Sequence, residues 1–253
     1  MRRAADVFVS LICAAGLALA AAPAHAGTIT LRIMLWGSQN DMPRRPEEPL
    51  VARYQPDHGA SFVLDRSVNP PLLRFEDSSE VWILQAQPGP GGDTIFRNDV
   101  GQPVLRATKL GGLTLFTEDD PTGAAVAYDG EALSLKPSSF MPPGLFLQRV
   151  LQASARSSHA AQRMIPFFTI DDATPETAPL VADTAGTTAE AITRVSHQTN
   201  GRTLLARIVK VMLAKGGKPD ARLDGGALIV TYTPGRTIGL HPSSERIMRA
   251  IGR

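Results

Sequence analysis

The chain has 253 residues, 43% hydrophobic and 20% charged, and carries a formal net charge of +2. This composition excludes an intrinsically disordered chain, and the length lets one large or two small domains bury a core without covalent staples. Its single cysteine, Cys13, lies in the N-terminal leader, so the folded part is expected to use neither disulfides nor thiolate chemistry.

Residues 1–26 read as a signal peptide. Arg2 and Arg3 precede the apolar run Val7–Ala22, and Ala24-His25-Ala26 supplies a small-residue cleavage pattern before Gly27. The apolar run is short for a membrane span, which needs about 20 residues. Ile12, standing where a small residue would precede a lipidated Cys13, argues against a lipoprotein. The expected product is a periplasmic or secreted, cysteine-free mature chain with no transmembrane segment after cleavage.

Residues 27–60 are expected to form an N-terminal strand, Thr28–Leu35, and the Pro-rich linker Gly37–Pro49. Residues 61–253 read as a single α+β domain with a sub-boundary near 140. Its first half is a mostly antiparallel β meander. Ser61–Leu64, Leu72–Phe75, Asp93–Arg97, Pro103–Lys109, Leu113–Thr117 and Ala124–Tyr128 are strand candidates. Glu80–Gln87 is the strongest, with Val81 and Ile83 on one face and Trp82 and Leu84 on the other, a pattern that suits cover on both sides. Asn98–Gln102 and Gly111-Gly112 mark turns.

The second half carries helices and a second small β hairpin. Leu145–Met164 has helical spacing with Leu147, Val150, Leu151, Ala155 and Ala161 near one face, and Leu180–Gln198 is a second helix. Ile165–Ile170 reads as extended. Thr203–Ala214 reads as a helical turn entering a strand, Ala221–Leu223 and Ala227–Thr233 flank Gly225-Gly226, and His241–Glu245 opens a short helix to Ile251.

No motif announces catalysis. Gly91-Gly92 is followed by Asp93 rather than the Lys of a phosphate loop, and no G-x-G-x-x-G opens a helix. His58, His159, His197 and His241 are too far apart in sequence for two to share a helical turn, and H-E-x-x-H is absent, so neither a metal nor another cofactor is expected. G-x-S-x-G and S-x-x-K are also absent. Glu76 and Glu80 pair two carboxyls without a spacing that distinguishes them from ordinary loop charges. No catalytic residue is assigned.

Two groups remain as binding candidates. Arg97, Asn98, Asp99 and Arg106 gather near one end of a hairpin, where the two arginines either clamp an anion or pair with Asp93 and Asp99. Charge asymmetry supplies the other. Residues 27–193 hold 13 Lys/Arg against 20 Asp/Glu, a net of −7, whereas residues 194–253 hold 11 against 3, a net of +8. Lys210, Lys215 and Lys218, with Arg202, Arg207 and Arg222, then form a basic C-terminal region facing an anionic partner or the acidic half of the same molecule. Nucleic acid is not the expected partner, since Tyr232 is the only aromatic there and stacking platforms need several.

Glu80-Val81-Trp82-Ile83-Leu84, Gly92-Asp93-Thr94-Ile95, Asn98-Asp99-Val100-Gly101 and Leu110–Phe116 together resemble a group of exported alphaproteobacterial proteins known as a domain of unknown function. Asn200-Gly201-Arg202 and Pro242–Ile247 extend the resemblance over most of the mature chain. It implies export and a single unit, and brings no catalytic residues. The reading from sequence is a non-catalytic binding or structural protein of the periplasm, using its basic C-terminal region against an anionic envelope surface. The alternatives are a periplasmic hydrolase with a site assembled from distant residues, and an inhibitor or assembly factor that binds a periplasmic protein.

Overall fold

A computed structural model describes residues 49–171, 173–235 and 239–253. The leader, the Thr28–Leu35 strand and nearly all of the linker lie outside them. The fold is α+β, with a large antiparallel sheet in the first half and helices plus a smaller sheet in the second.

The first sheet comprises β1 (Val51–Pro56), β2 (Phe62–Asp65), β3 (Leu72–Phe75), β4 (Trp82–Ile83), β5 (Gln85–Pro88), β6 (Thr94–Arg97), β7 (Pro103–Ala107), β8 (Leu113–Leu115) and β9 (Ala124–Glu131). Its order is β4-β3-β2-β1-β9-β8-β7-β6-β5. The two ends of that order are separated by Leu84 alone, whose N–H donates to Pro71 O at 2.9 Å. One continuous stretch therefore pairs first with β3 and then with β6, and the sheet closes on itself. Counting β4 and β5 as a single path makes it an eight-stranded barrel, which β1 and β9 close, Ala52 opposite Glu131 and Pro56 opposite Val126.

Closure follows from the period-2 pattern. Ala52 and Tyr54, Phe62 and Leu64, Leu73, Leu84, Phe96, Leu105 and Leu115 all turn into one buried cluster. Barrels of eight strands are just wide enough for side chains to fill. Here the filling is aromatic, with Tyr54 stacked on Phe62 at 5.5 Å and Phe75 edge-on to Trp82 at 5.5 Å. Trp82 and Leu84 serve this interior, while Val81 and Ile83 face outward into a second cluster with Val63, Leu72 and Leu135. The two-faced pattern of Glu80–Gln87 is thus a barrel strand covered outside by the segment after β9. The structure also adds β1, within the stretch expected to be strand and linker.

That covering segment is pinned by Asp65, whose carboxylate accepts from Leu135 N (2.8 Å), Ser134 Oγ (2.6 Å) and Ser67 N (2.8 Å). Burial alone would push the Asp65 carboxyl up, but the bonds from Ser134, Ser67 and Leu135 outweigh it and hold its pKa below the ordinary value.

The second half contains α1 (Pro143–Ala161), β10 (Phe167–Thr169), α2 (Ala178–Ser196), α3 (Gly201–Ala206), β11 (Lys210–Lys215), β12 (Asp220–Asp224), β13 (Ala227–Tyr232) and α4 (Ser244–Gly252). The sheet order is β10-β11-β13-β12, with β10, β11 and β13 parallel and β12 antiparallel to β13. The glycine turn does make a hairpin of β12 and β13, with Gly225 and Gly226 both at positive φ (52° and 82°). The sheet around it is wider than a hairpin, because α2 and α3 act as a crossover returning β11 parallel to β10. Helix α2 ends at Ser196, before Gly201, which begins α3. A Cβ there would stand 2.1 Å from Val195 O, so only glycine lets the chain turn this close to α2.

Two ion pairs fix how α1 and α2 pack. Arg149 to Asp183 (3.9 Å) and Arg156 to Glu190 (2.8 Å) are rungs seven residues apart on both helices, so the helices run in the same direction. α2 is rich in Ala and Thr, and its hydroxyls bond back to its own carbonyls, as Thr184 Oγ1 does to Leu180 O at 2.7 Å and Thr188 Oγ1 to Thr184 O at 2.7 Å. α1 meets it with Val150, Ala153 and Ser157, not with the expected leucine face. Leu147, Leu151 and Ala155 are exposed. Small residues permit closer packing than leucines would, and that contact decides which face turns in.

Candidate functional site

The barrel meets the helical half at the start of α4. An α-helix begins with N–H groups that lack intrahelical partners and with a positive end of its dipole. Two carboxylates from the barrel meet that need. Glu80 accepts from Ser244 N (2.8 Å) and Ser244 Oγ (2.5 Å), and Asp99 accepts from Ser243 N (3.0 Å) and from Ser243 Oγ. Arg246 Nε adds a 2.8 Å bond to Asp99, and its guanidinium also reaches the Asp99 carbonyl. Arg194 donates to Ser244 Oγ at 3.0 Å, extending the chain of bonds to α2. Glu80 is buried, and desolvation pushes its carboxyl pKa up, partly offset by the Ser244 bonds and by the charge of His241.

His241 is shared with a cleft beside this junction. The cleft, about 660 Å³, runs between the outer wall of β3 and β4, the 134–141 segment, α1 and α2. Its floor is apolar, with Leu72, Val81, Ile83, Leu135 and Met141, and its rim carries Arg74, Lys136, Arg149, Arg156 and His241. Among the described residues, Asp183 is the sole acidic side chain of the lining. Solvent reaches about a third of the Asp183 side chain (37%), yet packing on its other sides desolvates the carboxyl and raises its pKa, against the opposing charges of His241 and Arg149. Arg156 is held by Glu190, and Arg149 lies at a loose 3.9 Å from Asp183. Ligand pockets commonly span about 300–1,000 Å³ and join an apolar floor to a few placed polar groups. This cleft has that construction, with four Lys or Arg side chains and one described carboxylate in its lining.

The residues singled out from sequence are placed elsewhere. Arg106 binds Asp93 at 2.7 Å, and Arg97 donates to Gln87 Oε1 (2.9 Å) and Gly101 O (2.7 Å). Asn98 staples its own turn, its Oδ1 accepting from Gln102 N at 2.9 Å and Val100 N at 3.2 Å. Asp99 serves α4 rather than Arg97. Lys210 and Lys215 begin and end β11 with side chains on opposite faces, and Lys218 lies in the turn to β12. Glu76 and Glu80 diverge, Glu76 pairing with Arg53 at 2.8 Å on the surface. Among the described residues, no group of three or more His, Cys, Asp or Glu stands together as a metal-ligand set.

Asp183, Arg74, Lys136 and Arg149 were not singled out from sequence. They lie on four different segments and share no spacing, so no one-dimensional signal joins them. No curated protein and no solved structure matches the chain. The family described as Domain of unknown function (DUF4908) matches residues 30–251, and the chain belongs to that family.

Proposed function

We propose that this is an exported, non-catalytic binding protein that holds an anionic ligand in the cleft between the barrel wall and α1. One observation carries the reading: Arg74, Lys136, Arg149, Arg156 and His241 converge on a cleft of about 660 Å³ in which Asp183 is the only carboxylate among the described residues. The acids held by hydrogen bonds support the non-catalytic part, since buried Asp65 anchors the covering segment and buried Glu80 and half-buried Asp99 cap α4. Export rests on Arg2, Arg3, the Val7–Ala22 run and the Ala24-His25-Ala26 pattern.

Calorimetric titration with inorganic phosphate, succinate and octanoate tests it. At least one of these anions should bind, more weakly as salt rises, and Arg74→Ala with Arg149→Gln should weaken it about tenfold. The Lys210→Glu/Lys215→Glu/Lys218→Glu variant separates the cleft from the basic C-terminal region expected from sequence, because it should leave this binding unchanged. Loss of binding in the lysine variant alone would move the contact to that region. Absence of binding by all three anions would end the cleft reading.

A hydrolase is the second reading, favoured by Asp183 and His241 sharing the cleft. Turnover of ester, phosphoester or glycoside substrates that vanishes in Asp183→Asn and His241→Gln would replace binding by catalysis.

A further inference from the structure

The eight-stranded barrel has an open end as well as a wall. The β1–β2, β3–β4, β6–β7 and β8–β9 connections all lie at that end, because an antiparallel meander returns there after every second strand. They enclose a mouth of about 1080 Å³, walled on one side by Glu190 and Arg194 of α2 and Glu245 of α4. Its inner lining is aromatic. Phe75, Trp82 and Phe116 are each half-buried there, Phe75 edge-on to Trp82 at 5.5 Å. Phe116 is held by Gly123, where a Cβ would stand 2.8 Å from its ring. A barrel of this size takes one small ligand where side chains leave room, and barrel mouths are common ligand sites.

Strand alternation separates this mouth from the cleft. Val81 and Ile83 line the cleft, Glu80 and Trp82 line the mouth, and the two linings share no residue. The charge is opposite as well. Arg194 is the sole Lys or Arg among the described lining residues, and it already bonds Ser244 Oγ at 3.0 Å and lies 3.7 Å from both Glu118 and Glu245. Glu80, Glu190 and Glu245 are engaged by Ser244, Arg156 and Arg249. Asp120 accepts from Thr122 Oγ1 (2.7 Å) and Gly123 N (3.1 Å), neutral donors that shape its loop and leave its charge in place. Asp77 and Asp119 are exposed on two different loops. Asp77, Asp119 and Asp120 therefore face the mouth with no Lys or Arg partner among the described residues, and the nearby titratable cation is His58.

We propose that the barrel mouth is a binding site for an organic ammonium ion, with alkyl groups resting on Trp82 and Phe116 and the charge facing Asp77, Asp119 and Asp120. Aromatic faces attract cations, tryptophan most strongly, and the attraction grows as water is excluded. The carboxylates alone would serve a metal ion equally well, but the rings would then have no part. Acids and rings lining one cavity are used together only by a cation that carries apolar groups. The site is independent of anion binding in the cleft, and both can be filled at once.

Calorimetric titration of the purified full chain with tetraethylammonium and with spermidine tests this, with calcium as the inorganic control. At least one of the two organic cations should bind, more weakly as salt rises. Asp77→Asn/Asp119→Asn should weaken binding about tenfold, and Phe116→Leu about fivefold. Asp129→Asn/Glu131→Gln, the same loss of charge on β9 outside the lining, should leave it unchanged. Trp82 provides a second readout: in a Trp36→Phe chain it is the only tryptophan, and its emission should shift as the cation saturates. Circular dichroism confirms that each variant folds. No binding by either organic cation, undiminished binding in the Asp77/Asp119 or Phe116 variant, an equal loss in the β9 variant, or a silent Trp82 would overturn the proposal. So would calcium that displaces the organic cation, which would assign the acids to a metal.

Discussion

Ser244 gives Glu80 two donors, the backbone N–H at 2.8 Å and the hydroxyl at 2.5 Å, across 164 residues of sequence. A helix in one half of the molecule is thus capped by a buried carboxyl from the other. Caps normally come from the residue just before the helix. Here Ser243 does accept from Arg246 N at 3.2 Å, while Glu80 and Asp99 add long-range caps that tie α4 to the barrel.

Removing this tie should be measurable as coupling. Glu80→Ala leaves the Ser244 N–H buried without its acceptor, and should lower stability in urea unfolding by about 2–3 kcal/mol. Ser244→Ala removes one of the two bonds and should cost less. In the double-mutant cycle with Glu80→Gln the pair should couple by about 1–3 kcal/mol. Additive effects would mean that the two residues act independently.

Glu80 should also shape stability against pH. Its pKa is raised in the folded protein, chiefly by burial, so folding holds this proton more tightly than the unfolded chain does. The stabilisation from Glu80 is therefore complete below the ordinary carboxylate range and declines as pH rises through the raised value. Glu80→Gln should flatten that decline in a series of denaturation curves. A slope unchanged in the variant would assign it to another group.

Asp65 should behave in the opposite sense. Its folded pKa is lowered by hydrogen bonds that outweigh burial, so its contribution is present above the ordinary carboxylate range and lost as pH falls through the lowered value. Asp65→Ala orphans Leu135 N and should cost about 3 kcal/mol near neutral pH, with the deficit shrinking in acid. Hydrogen exchange should show residues 132–135 loosening first. Unchanged protection there would deny Asp65 its anchoring part.

The cleft carries a pH dependence of its own. As pH falls through the raised pKa of Asp183, the one carboxylate among the described lining residues becomes neutral, and anion affinity should rise by about fivefold. Titrations of Asp183→Asn should show tighter binding at neutral pH and a flatter pH profile. A profile identical to the parent would remove Asp183 from the cleft's electrostatics.

Much of this architecture could be read from local pattern. Trp82 and Leu84 alternating with Val81 and Ile83 marked a strand with two apolar faces, and Gly225-Gly226 marked the tight hairpin turn that the structure forms. His241–Glu245 marked the start of α4. Barrel closure was not legible, because the pairing of Ala52 with Glu131 is a long-range choice and Val51–Pro56 is a short alternating run ending in proline. The face of α1 was misjudged for a physical reason: leucine spacing marks an apolar stripe, but the Ala- and Thr-rich surface of α2 selects small partners. The site was the least legible part. Asp99 stood out from sequence as a loop charge, yet its partners Ser243 and Arg246 lie about 145 residues away, and the cleft cations come from separate elements.

The pairing of β1 with β9 has a consequence for how the chain reaches its fold. β1 can bond β2 as soon as both exist, but its other edge stays unpaired until residues 124–131 have arrived. A chain delivered from its N-terminus therefore carries an open strand edge through the assembly of every intervening hairpin, and such edges invite pairing with other chains. The four residues that follow β9 then lie over β2 and β3 and bond Asp65. Closing and fastening the barrel are consecutive in sequence, so the period of exposure ends as soon as the last strand is in place.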